Sequence, residues 1–191
     1  MKKILSISII VSFIICSWSA SGLHNETKIL SDEILDQSTP FGYDGFACGA
    51  WNTYIAQSFK PKLPILSKVE IGLFKQENAE GTVTVSIRQR LGGEDLVSKT
   101  IPVESIPLGS EADWVEFDFD DIEVIPNIKY YIVFTMNDGE RPENVVLWVH
   151  TLWNPYWRGR PWQYTIQGIW LPTCIMMIKL PDACFRTYGY Q

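Results

Sequence analysis

From Thr82 to Arg88 the chain alternates without a break. Val83, Val85 and Ile87 are apolar, and Thr84, Ser86 and Arg88 are polar. A period of two is that of a strand with one buried and one wet face. Trp114 to Phe119 repeats the pattern, with Val115, Phe117 and Phe119 set against Glu116, Asp118 and Asp120. Lys129 to Met136 is apolar on both faces, which predicts a central strand. Further extended stretches are read at Asn52–Phe59, Ser67–Phe74, Val145–His150, Gly168–Leu171, Ile175–Lys179 and Ala183–Tyr188. Leu96–Val103 is read as an edge strand because Pro102 lies inside it. Turn chemistry separates these stretches at Asn78–Gly81, Gly92–Asp95 and Asn137–Glu140, while Leu152–Gln167 reads as irregular. No helical period competes. The pattern predicts an all-β fold, a two-sheet antiparallel β-sandwich of the jelly-roll kind, with about nine or ten strands.

The ends of the chain change this picture. Lys2 and Lys3 precede an apolar run from Ile4 to Cys16, followed by Ser17, Ser19, Ala20, Ser21 and Gly22. These are the three parts of a secretory signal, so residues 1–21 are expected to be removed on export. A retained anchor and a lipoprotein at Cys16 are the alternatives. No later run is long enough to span a bilayer, so the mature chain is expected to carry no membrane span. Residues 22–45 read as a flexible polar lead-in, with a glycan sequon at Asn25-Glu26-Thr27. Residues 46–191 then form one sandwich domain. Loss of Lys2 and Lys3 takes the formal charge from −6 to −8. An acidic chain is a poor partner for a phosphate backbone, so no nucleic acid is expected. The expected location is secreted or at the cell surface.

Seven aromatic residues crowd the 23 positions from Trp148 to Trp170, among them five of the eight tryptophans. Trp148 and Trp170 read as core. Trp153, Tyr156, Trp157, Trp162 and Tyr164, with Arg158 and Arg160 between them, read as a ligand-binding loop. Flat rings stack on the apolar faces of sugars, and fixed polar groups bond the hydroxyls. Loop packing, cation–π stacking of the arginines and contact with another protein would use the same residues.

Acidic residues gather between Glu111 and Glu123. Their alternation along a strand makes a solvated face the plainer reading. Asp120 and Asp121 are the best metal candidates, and structural calcium is the one cofactor considered, since it takes six to eight oxygens. Outside the signal stand Cys48, Cys174 and Cys184. In an exported chain one disulfide and one remaining thiol is the simplest count. Cys174–Cys184 closes the shortest loop, although a hairpin turning at Leu180-Pro181 would not align the two. No catalytic motif occurs, and the only histidines are His24 and His150.

Several segments resemble a known group. They are Ala56-Gln57-Ser58-Phe59, Gly81–Arg88, Trp114–Phe119, Tyr130-Tyr131-Ile132-Val133, Asn154-Pro155-Tyr156 with Gly159, Gly168-Ile169-Trp170, and Asp182 followed by Phe185–Gly189. Together they are similar to secreted jelly-roll modules of archaeal and bacterial surface proteins that resemble carbohydrate-binding modules. The resemblance implies a non-catalytic β-sandwich at the cell surface. Three functions follow as expectations: glycan binding through residues 153–164, a structural or adhesive surface module, and a small glycoside hydrolase or lyase.

Overall fold

The computed structural model describes residues 32–41, 46–49, 54–109, 112–137, 144–151, 155–173 and 182–191, without the side chains of 46–49. The signal, the sequon, Trp153, Cys174 and the stretch 175–179 lie outside the described residues. Twelve strands are described: β1 (Ile34–Ser38), β2 (Phe46–Gly49), β3 (Tyr54–Phe59), β4 (Ile65–Lys75), β5 (Thr82–Arg88), β6 (Val97–Pro102), β7 (Asp113–Glu123), β8 (Tyr130–Asn137), β9 (Val146–His150), β10 (Pro161–Tyr164), β11 (Trp170–Pro172) and β12 (Phe185–Tyr190). The fold is the two-sheet antiparallel sandwich that the alternation predicts. One sheet runs β1-β12-β4-β9-β2, with β7 added along β4; the other runs β11-β10-β3-β8-β5-β6. From β3 to β5 and from β6 to β10 the chain passes repeatedly from one sheet to the other, as a jelly roll requires.

The strand faces follow the sequence. Val83, Val85 and Ile87 are fully buried, and so are Val69, Ile71 and Leu73 on β4 and Phe117 on β7. Phe59, Phe134, Phe185 and Trp148 complete the layer between the sheets. Each such side chain contributes about 1.5–3 kcal/mol by leaving water. β8 is central, between β3 and β5, and β6 is the edge strand that Pro102 announces.

β4 joins the first sheet together. β7 covers one of its edges, while the other is shared: β12 pairs with Ile65–Ile71 and β9 with Leu73–Lys75. Residues 182–184 fill the fork between β4 and β9. Gly72 N–H donates to the Cys184 carbonyl at 3.0 Å, Cys184 N–H to the Val149 carbonyl at 2.8 Å, and Thr151 N–H to the Asp182 carbonyl at 2.8 Å.

Two sequence expectations need revision. The sandwich starts before residue 46, because Ile34–Ser38 within the lead-in pairs with β12. That strand is held by polar contacts rather than apolar alternation: Thr39 Oγ1 donates to the Ala183 carbonyl at 2.9 Å and accepts from Phe185 N–H at 2.7 Å. The stretch 152–167 contains β10, whose Trp162, Gln163 and Tyr164 pair with β11. The expected Cys174–Cys184 pairing lies outside the described residues on its Cys174 side; Cys184 itself is buried, with its Sγ 3.5 Å from the Pro40 carbonyl oxygen. Among the described residues, no helix is long and apolar enough to cross a membrane.

Candidate functional site

The residues read as one aromatic loop are divided among three places. Tyr156 is core. It is 6% exposed, its ring stands edge-on to Phe185 at 5.1 Å, and its hydroxyl donates to Gln37 Oε1 and accepts from Lys60 N–H, both at 3.0 Å. Its own N–H donates to Asp182 Oδ2 at 2.8 Å. Tyr156 therefore anchors the loop rather than meeting a ligand. Beyond this anchor the chain turns outward, and Trp157 is 83% exposed. Gly159 then passes so close to β3 that a side chain is excluded: a Cβ there would lie 1.8 Å from the Ser58 carbonyl oxygen. That approach allows Ser58 N–H to bond the Arg160 carbonyl at 3.0 Å and brings β10 alongside β3.

Docking β10 creates a surface that no stretch of sequence contains. Alternation on β3, β5 and β8 points Tyr54, Ser58, Thr84, Arg88, Tyr131 and Thr135 away from the core, and registry places Trp162 and Tyr164 beside them. The Trp170 and Tyr164 ring centroids lie 5.3 Å apart, Tyr164 and Tyr54 5.8 Å, and Tyr131 and Trp162 6.5 Å. The Arg88 guanidinium stands 5.4 Å over the Tyr54 ring and that of Arg160 5.8 Å over Trp162. Thr84 and Thr100 extend the row with hydroxyls 2.8 Å apart. Tyr54, Tyr131 and Arg88 escaped the sequence reading because they lie far from the aromatic stretch along the chain. Trp170, read as core, is half-buried on this outer face. Trp148, also read as core, is fully buried, and its indole N–H donates to the Cys184 carbonyl at 2.9 Å.

Electrostatics distinguish the two outer faces. Burial raises the Tyr131 phenol above its ordinary value, and the nearby Arg160 charge opposes the shift. The indole N–H of Trp162 is covered and has no acceptor among the described residues, an arrangement that packing alone does not reward. On the first sheet, by contrast, Lys68 and Arg186 are paired with carboxylates. Lys68 reaches Glu33 at 2.8 Å and Glu116 at 3.0 Å, and Arg186 reaches Glu70 at 3.1 Å. Asp120 and Asp121 are exposed on β7. Among the described residues no group of three His, Cys, Asp or Glu is placed to hold a metal, so this pair gains no third ligand there.

No protein-family model matches the chain, and no curated protein matches it significantly.

Proposed function

We infer that this chain is an exported, non-catalytic β-sandwich module that binds carbohydrate on the outer face of its second sheet. One observation carries the reading: Trp170, Tyr164, Tyr54, Trp162 and Tyr131, from four different strands, present their rings on one surface beside arginines and hydroxyls. Rings in a row suit successive sugar faces, and guanidinium and hydroxyl groups fix orientation. The site includes Trp162, Tyr164 and Arg160 of the sequence-defined set and extends to β3, β5, β8 and β11. The test is tryptophan fluorescence during titration with neutral polysaccharides such as xyloglucan, dextran and mannan. A saturable blue shift is expected, and Trp162→Ala with Trp170→Ala should weaken binding about 5- to 150-fold, since losing two stacking contacts removes about 1–3 kcal/mol. An unmoved spectrum with every polymer rules the reading out.

A second reading has its own observation. Ile166 is 91% exposed, and Ile169 and Leu171 are about half exposed, at the tip and edge of the β10–β11 hairpin. Such apolar exposure fits contact with another surface protein, as an adhesive or structural module would make. Alanine at Ile166 and Ile169 would then abolish self-association or partner capture and leave polysaccharide binding unchanged. A glycosidase or lyase requires two carboxylates across one cleft. Asp95, beside the aromatic face, is engaged in an ion pair with Arg88.

A further inference from the structure

A second feature lies at the end of the same outer face. Lys60 follows β3 directly and Lys129 precedes β8, so extending the pairing of Phe59 with Tyr130 sets the two lysines opposite each other. They line an open hollow of about 430 Å³ together with Asn127, Trp157 and Arg158. Asn127 adopts a left-handed backbone (φ 67°), which asparagine tolerates better than most residues. Its N–H donates to the Pro61 carbonyl at 2.7 Å, and its Oδ1 accepts from Arg158 Nη2 at 2.6 Å. Arg158 is thereby held in the hollow. Among the described residues no carboxylate pairs with Lys60, Lys129, Arg158 or Arg160, in contrast to Lys68 and Arg186 on the first sheet.

This concentration of charge opposes folding. Like charges facing across a ladder repel, and the rest of the chain is acidic enough to leave a net charge of −6. Three cations around one largely exposed indole make sense when a ligand supplies the anion. We propose that the hollow of Lys60, Lys129, Arg158 and Trp157 is an anion subsite, and that the polymer bound along the aromatic face is an acidic polysaccharide bearing carboxylate or sulfate groups. The proposal rests on the carbohydrate reading above. Trp157 covers the apolar face of the charged sugar, the two ammonium groups and the guanidinium receive its anion, and Arg160 bridges to the ring of Trp162. A single compact cluster suits one anionic group at a time. A nucleic-acid backbone would call for an extended basic track.

Matched polymers separate the proposal from the reading beneath it. Polygalacturonate is compared with its methyl ester, and dextran sulfate with dextran, using the full chain at low salt. At least one acidic polymer is expected to bind about tenfold more tightly than its neutral partner, with the preference fading as salt rises. Lys60→Ala with Lys129→Ala should remove the preference, leave neutral binding intact and raise rather than lower the melting temperature. Trp162→Ala with Trp170→Ala should weaken both members of a pair. Equal binding within both pairs overturns the anion subsite while sparing the aromatic face. Binding of no polymer overturns both. Tighter binding of single-stranded oligonucleotide than of any polysaccharide overturns the ligand class.

Discussion

At the scale of single residues, two buried titratable groups oppose each other. Burial pushes the Asp182 carboxyl up to about 6, against the pull of hydrogen bonds from Tyr156 N–H and Gln57. Burial likewise lowers His150 to about 4, although its ring bonds the Trp148 carbonyl. A raised carboxyl binds its proton more tightly in the folded state. Its favourable contribution is therefore fully present below the unfolded value and is lost as pH rises through about 6. A lowered histidine acts the other way: stability falls as pH drops from the ordinary value of about 6.5 towards 4. The two slopes offset each other between about pH 4 and 6. Urea titrations across this range should show Asp182→Asn gaining stability relative to wild type as pH rises, and His150→Phe losing it, each by up to about 1.4 kcal/mol per pH unit. Parallel profiles for all three proteins would refute the assignment. Trp148→Phe belongs to this scale as well. It empties core volume and removes one of the donors to the Cys184 carbonyl, which keeps Gly72 N–H, so a loss of about 2–4 kcal/mol is expected in the same titration.

At the scale of elements, β10 decides whether there is a site. It joins the second sheet through three residue pairs with β3, and Gly159 permits the approach. Gly159→Ala should push the β10–β11 hairpin off β3, accelerate exchange of the Ser58 amide and remove polysaccharide binding, at a cost of about 2–3 kcal/mol. At Gly92, in the β5–β6 turn, an added methyl group would meet nothing within 4 Å. Gly92→Ala should therefore stay within about 0.5 kcal/mol of wild type and serve as the control. The strong alternators, β5 and β7, were legible from sequence because each has one face on the core. β10 was not. It has four residues, begins at a proline, and takes its place from backbone pairing.

At the scale of the whole molecule, the domain boundary matters most. β1 lies in a polar stretch, yet Thr39 and Gln37 satisfy buried groups of β12 and Tyr156. A chain beginning at Phe46 removes these hydrogen bonds. It should lose about 3 kcal/mol or more against one beginning at Ser31, read as a drop in melting temperature. Equal melting would show β1 to be dispensable. The distribution of charge is also a property of the assembled fold. Among the described residues, Lys68 and Arg186 on the first sheet are paired with carboxylates, whereas cations without a carboxylate partner collect at one end of the second.

Reading along the chain was enough for the fold class, the strands with one core face, the central place of β8 and the edge place of β6. These follow from a period of two and from where proline is tolerated, both of which are local properties. The same reading marked Trp162, Tyr164 and Arg160 as candidate ligand contacts. It took the folded molecule to move Tyr156 into the core, turn Trp170 outward, and join Tyr54, Tyr131 and Arg88 to the aromatic face. The reason is physical: ring-to-ring distance across a sheet depends on which strands are neighbours and in what register, and pairing between residues about a hundred positions apart leaves no periodic trace along the chain.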